Sequence, residues 1–153
     1  MIWLKVTVAG KSEPLNFLLD SGAGSSVLDL STARRLGLKL GDRQTVLGVH
    51  TCCLAYRVKG FEARTAGIPL SSSPLAVDLS GASRGCSQHI DGLIGADFFR
   101  EHIVCIDYAT QTIRLLQREE MHLIGATILP LARRNDTLCA QVSVNGNALE
   151  WLA

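Results

Sequence analysis

Leu18-Leu19-Asp20-Ser21-Gly22-Ala23-Gly24 is the stretch on which the fold turns. An apolar run ends in a carboxylate, a hydroxyl follows, and small residues complete it, which is the composition of a tight loop leaving a strand. Taken alone, these residues also describe an ordinary Asp-Ser-Gly turn. On the N-terminal side, Ile2, Leu4, Val6 and Val8 alternate with Trp3, Lys5 and Thr7, the period of a strand with one buried face. Ala9-Gly10-Lys11 reads as a turn and Leu15-Asn16-Phe17-Leu18-Leu19 as the return strand, so Asp20 stands where a hairpin ends. On the C-terminal side, Ser31-Thr32-Ala33-Arg34-Arg35-Leu36-Gly37 predicts a short helix with a hydroxyl cap before it and glycine at its stop.

Further out, strands are predicted at Thr45-Val46-Leu47-Gly48-Val49, Leu54-Ala55-Tyr56-Arg57-Val58 and Leu75-Ala76-Val77-Asp78-Leu79. A second motif follows, Ile90-Asp91-Gly92-Leu93-Ile94-Gly95-Ala96-Asp97-Phe98-Phe99, with a brief helix over Ala96 to Glu101. Val104-Cys105-Ile106-Asp107-Tyr108 and Thr112-Ile113-Arg114-Leu115-Leu116 make a hairpin around Ala109-Thr110-Gln111. Many short strands, frequent turns and two short helices predict an all-β domain, a barrel or sandwich.

The two motifs together resemble the retropepsin-like aspartic proteases, the single-repeat family of retroviral proteases and bacterial homologues. Asp20-Ser21-Gly22-Ala23 matches the family's Asp-Thr/Ser-Gly-Ala loop, and Leu93-Ile94-Gly95 its hydrophobic-hydrophobic-Gly element. The string from Ile90 to Phe99, with Ile106-Asp107-Tyr108 after it, is similar to the bacterial branch. The order of elements agrees from about Leu4 to Leu116.

The resemblance implies an acid-protease barrel in which each protomer is one half of a two-fold active site. Asp20 would be the catalytic aspartate, paired with the Asp20 of a second copy in a homodimer. Ser21 would hydrogen-bond across that dimer, Gly22 would let the backbone approach the carboxylates, and Ala23 would complete the loop. Val46 to Val58 would form the flap over a peptide or protein substrate, with Gly48, Val49 and His50 at its tip. The family often carries several glycines there, whereas this chain has Gly48 followed by Val49-His50-Thr51-Cys52-Cys53. No cofactor and no metal are implied.

Rival motifs have less behind them. Gly81-Ala82-Ser83-Arg84-Gly85 matches a nucleophile elbow, which would make Ser83 the centre of a serine hydrolase, but the elbow needs a helix directly after its serine. Gly22-Ala23-Gly24 resembles a dinucleotide loop, with Val27 where the third glycine belongs. His50, Cys52 and Cys53 lack zinc-ligand spacing. Cys105 reads as core or near-core packing, Arg133 and Arg134 as a solvated turn, and Asp91 and Asp97 as loop or helix-cap residues.

The tail carries a partial repeat. Val142-Ser143-Val144-Asn145-Gly146-Asn147 parallels Val6-Thr7-Val8-Ala9-Gly10-Lys11, and Leu149-Glu150-Trp151-Leu152-Ala153 parallels Leu15-Asn16-Phe17-Leu18-Leu19 after a two-residue gap. A protease domain over 1–118 is expected, with 119–153 as a linker plus a hairpin resembling the start of a second repeat. If the functional unit is two repeats, Asp20 pairs with the aspartate of the other repeat, and this chain alone is a non-catalytic binding or dimerisation module.

Composition sets the outer bounds. The 153 residues suit one domain, and a formal charge of +1 offers no electrostatic case for nucleic acid or an anionic membrane. At 5% aromatic residues the core must be aliphatic. Five dispersed cysteines, no bilayer-length apolar run and no signal-peptide pattern lead to the expectation of a reducing, cytoplasmic setting.

Overall fold

The computed structural model describes residues 1–47, 52–71, 73–121, 124–134, 137–145 and 147–152. They form two compact units, the first from 1–20 and 26–94, the second from 21–25 and 95–153.

The first unit is built on β1 (Trp3–Val8) and β2 (Leu15–Leu19), paired antiparallel with Trp3 opposite Leu18 and Val6 opposite Leu15. The predicted alternation holds where burial is deepest, since Val6 and Val8 are buried while Lys5 and Thr7 are exposed. After β3 (Val27–Asp29) comes α1 (Leu30–Arg35), which starts earlier than expected. Its cap is the carboxylate of Asp29, which accepts from the Thr32 amide, and not the expected hydroxyl. Gly37, at φ +72°, ends it as expected, its amide donating to the Arg34 carbonyl. The long pair β4 (Lys39–Leu47) and β5 (Cys52–Lys59) follows, then β6 (Ala63–Thr65), β7 (Ile68–Pro69), β8 (Leu75–Val77), α2 (Ser80–Ser83) and β9 (Gly92–Ile94).

These nine strands make one sheet in the order β4-β5-β8-β3-β9-β2-β1-β6-β7. The expected barrel is an open sheet, because no pairing joins β4 to β7 among the described residues. Pro69 gives a physical reason at one edge, since β7 is two residues long and proline has no N–H to extend a ladder. At the centre, β9 lies parallel to β2 and antiparallel to β3. It is covered on both edges, and its Ile94 is fully buried. The core is aliphatic as composition requires, with Val6, Leu15, Leu28, Val58 and Ile90 buried alongside the rings of Phe17 and Phe61, the only two aromatic residues fully buried among the described residues.

In the second unit, α3 (Ala96–Glu101) occupies the predicted residues and leads to the hairpin of β10 (Ile103–Asp107) and β11 (Thr112–Leu116). Cys105 is half-buried in β10. A 3-10 turn at Arg118–Glu120 precedes a separate sheet of β12 (Leu131–Arg134), β13 (Thr137–Val144) and β14 (Asn147–Leu152). Arg133 and Arg134 lie exposed on β12, a strand where a turn was expected. No helix among the described residues is long and apolar enough to cross a membrane.

Candidate active site

Asp20 stands one residue past the end of β2, half-buried, and its backbone amide donates to the Ile94 carbonyl at 2.9 Å. That bond continues the parallel ladder in which Phe17 faces Gly92, Leu18 faces Leu93 and Leu19 faces Ile94. Leu93 and Ile94 of the hydrophobic-hydrophobic-Gly element therefore set the position at which the Asp20 carboxylate leaves the sheet. The close approach depends on Gly92. A Cβ there would collide with the Phe17 ring on one side and sit 2.6 Å from the Val27 carbonyl oxygen on the other.

In the second unit, the loop of Ser21, Gly22, Ala23 and Gly24 is half-buried and tied to the start of α3. The Ala96 amide donates to the Ala23 carbonyl at 2.8 Å. Gly95 is the hinge of this arrangement: a Cβ on it would fall 2.6 Å from the Ser25 oxygen and 2.8 Å from the Ala23 oxygen. Any side chain there would push the loop off the helix. Asp97 lies in the first turn of α3.

A pair of buried carboxylates lies in the first unit, in a network that no local sequence pattern announces. Asp29 and Asp91 are buried, at 2% and 5% exposure. Asp91 accepts from the Asn16 amide at 2.8 Å, the Thr32 hydroxyl at 2.7 Å and the Arg35 guanidinium at 2.8 Å. Its own amide donates to the Asn16 carbonyl at 2.8 Å, and its carbonyl accepts from the Asp29 amide at 2.7 Å. Asp29 accepts from the Ser31 hydroxyl and from the amides of Thr32 at 3.0 Å and Leu79 at 3.1 Å. The half-exposed His89 ring reaches Asp29 at 3.5 Å and Asp91 at 3.9 Å. Burial raises the Asp29 carboxyl, but Ser31, the two amides and His89 outweigh it and hold it below the ordinary carboxylate value. These two aspartates bind α1, β2, β8 and β9 into one frame behind the Asp20 strand end.

Other predicted site residues fall elsewhere. Gly48, Val49 and His50 lie outside the described residues. What is described of that region is the ladder leading to them, with Val46 opposite Cys53 and Leu47 opposite Cys52. Ser83 closes α2 instead of preceding a helix, and its hydroxyl oxygen accepts from the Ile90 amide at 3.1 Å. That is the reverse of the strand–serine–helix order an elbow requires.

Known proteins share this fold. The crystal structure of the retroviral protease-like domain of Ddi1 from Leishmania major is similar, with a TM-score of 0.53 and 20% identity over 79% of this chain and 98% of that one. EIAV protease complexed with the inhibitor HBY-793 also matches, at a TM-score of 0.43 and 22% identity over 65% of this chain and 85% of that one. No curated protein matches. Residues 4–98, which run from β1 through the Asp20 loop to α3, match the family described as Aspartyl protease, and the chain belongs to that family, with a retropepsin-like, all-β fold.

Proposed function

We propose that the protein is an aspartic endopeptidase in which Asp20 supplies one of two facing carboxylates. The observation that carries this reading is the tether of Asp20 at the end of β2, where its amide is held on the Ile94 carbonyl of a glycine-flanked strand in a chain of the aspartyl protease family. A single aspartate cannot both take a proton from water and give one to a carbonyl, so a second must face it. Two carboxylates that face each other closely enough to share a water cannot both ionise, and they share one proton. The ionised member draws a proton from a water between them, and the protonated member donates to the scissile carbonyl. Water adds directly to the peptide carbon, and no covalent enzyme intermediate forms. The apparent pKa values belong to the pair.

The second carboxylate comes from the Asp20 of another copy, in a homodimer steadied by Ser21, with Gly22 and Ala23 lining the approach. The substrate is a peptide or protein segment, and the β4–β5 ladder carries the flap whose tip holds Gly48, Val49 and His50. The odd number of dispersed cysteines favours a reducing compartment such as the cytoplasm.

Hydrolysis of a mixed peptide set, followed by mass spectrometry at graded chain concentrations and from acid to neutral pH, tests this reading. Cleavage should be favoured in acid, rise faster than linearly with concentration while copies associate, and be blocked by a peptide analogue bearing a hydroxyl at the scissile carbon. A plateau extending well above neutral pH, or indifference to that analogue, contradicts it. The partial repeat in the tail favours a second arrangement, in which Asp20 faces the aspartate of another repeat and the chain alone is a non-catalytic module. That arrangement predicts no cleavage at any concentration.

A further inference from the structure

The β4–β5 ladder is electrostatically one-sided at its base. Between Arg34 and Lys59 the chain holds Arg34, Arg35, Lys39, Arg43, Arg57 and Lys59 against a single acid, Asp42, although the formal charge of the whole protein is only +1. Strand pairing gathers three of these cations. Lys39 lies directly opposite Lys59, so their side chains share one face of the sheet. Arg57, two residues before Lys59 on β5, belongs to the same face. All three are exposed. Like charges directly opposite each other destabilise a strand pair. No carboxylate lies within ion-pair distance of any of the three among the described residues.

Gly41 leaves a gap beside this cluster. It stands two residues past Lys39 on β4, and a Cβ built on it would sit 3.5 Å from the Lys59 Cε and 4.0 Å from the Arg57 Cβ. The Lys59 stem therefore leans over a position where β4 has no side chain of its own. β4 is also the last strand of the nine-stranded sheet, so the backbone groups of its outer edge are paired by no strand among the described residues. A strand laid on that edge would set one residue opposite Lys39 and another, two positions along, opposite Gly41. Both would lie on the face of the three cations. A carboxylate opposite Gly41 meets no β4 side chain and has Lys59 leaning toward it. A register shift between Leu40 and Arg43 ends the stretch and confines the site to Lys39–Gly41.

We infer that the outer edge of β4 at Lys39–Gly41 is a docking site for an acidic extended segment of a partner protein, with the pattern acid–apolar–acid. The segment adds to the sheet through its backbone, and its carboxylates neutralise Lys39, Lys59 and Arg57. Its middle, apolar residue falls on the face of Leu40, which is half-buried. Charge complementarity selects this occupant, because a neutral strand leaves the three cations as they are and a basic one adds to their repulsion. Nucleic acid would meet the charge but not the strand edge. Nor does the described ladder offer an exposed ring for a base to stack on, Tyr56 being half-buried.

Direct binding tests this whether or not Asp20 hydrolyses peptides. The full chain carrying Asp20→Asn is titrated against a labelled Glu-Val-Glu-Val-Glu peptide, with fluorescence anisotropy as the readout, at about 50 mM salt. The glutamate peptide should bind at least about tenfold tighter than its glutamine counterpart and lose about tenfold on combined Lys59→Gln and Arg57→Gln. N-methylation of one or the other alternating set of peptide amides should weaken it further, which attraction by charge alone would not show. Lys59→Gln relieves a like-charge pair, so its unfolding midpoint should not fall. Equal binding of the glutamate and glutamine peptides, indifference to the two substitutions, or indifference to both methylations overturns the inference. So does a short oligothymidylate that displaces the labelled peptide at a lower concentration than the unlabelled peptide does.

Discussion

Three aspartates in the first unit occupy opposite circumstances. Asp29 and Asp91 are buried and held by amides, hydroxyls, a guanidinium and an imidazole, while Asp20 is half-buried at a strand end and tethered to the sheet through its backbone amide. The difference separates two circumstances a carboxylate can occupy in one unit. Buried carboxylates are tolerable only when protein donors satisfy them, so Asp29 and Asp91 are committed to structure. In the proposed reaction Asp20 acts on water and substrate, and its backbone amide holds that position to the sheet. Asp29 and Asp91 tie α1 to the strands on either side of β9, whose Ile94 carbonyl holds the Asp20 amide.

Substitutions can break this contrast, and the largest loss of stability is expected at Asp91. Asp91→Ala leaves the Asn16 amide and the Thr32 hydroxyl without their acceptor, at roughly 1–3 kcal/mol for each buried donor. A denaturant titration should read a loss of about 2–4 kcal/mol; a loss below about 1 kcal/mol would mean the frame does not depend on this residue. Next is Gly92→Ala, which forces β9 away from Phe17 and Val27 and should cost about 1–3 kcal/mol. Its effect should reach Asp20, so cleavage should fall by more than the folded fraction does.

Asp29→Ala removes a helix cap and leaves the Thr32 and Leu79 amides without their acceptor, and should cost about 1–3 kcal/mol near neutral pH. Here pH sharpens the contrast. The folded Asp29 carboxyl lies below the ordinary value of 3.8, so it contributes stability above that pH and loses the contribution as pH falls through the folded value. Acid titration of stability should therefore be steeper in the original chain than in Asp29→Ala below about pH 4; parallel curves would remove Asp29 from the account. Arg35→Ala should be the mildest of these. The guanidinium is 53% exposed and solvent-screened, so its pair with Asp91 contributes less than about 1 kcal/mol.

Much of this frame was legible in the sequence, for identifiable reasons. β1 and β2 have enough residues for a period of two to show, and α3 is bounded by Gly95 and the strand that follows it. The Asp20 loop and Leu93-Ile94-Gly95 carry a local pattern that survives whatever surrounds it. β3, β6 and β7 are two or three residues long and offer no period. The cap of α1 was misplaced because Ser31 and Thr32 are themselves good cap residues next to Asp29, and only the folded chain shows which oxygen accepts. The Asp91 network was not legible, since Asn16, Thr32 and Arg35 are distant in sequence and are brought to it by two different pairings of β9, with β2 and with β3. Ser83 shows the converse, a matching motif whose helix lies on the wrong side of the serine.

The same contrast names the most direct measurement. Asp20→Asn keeps the size of the side chain and removes its charge and its capacity to exchange a proton. Peptide hydrolysis should be compared between the original chain and this variant at matched concentration, with solution mass and unfolding followed in parallel. Cleavage should fall by roughly 10²–10⁴-fold, while association and stability stay within about 0.5 kcal/mol of the original. Undiminished cleavage by a folded, associated Asp20→Asn chain would contradict the central claim.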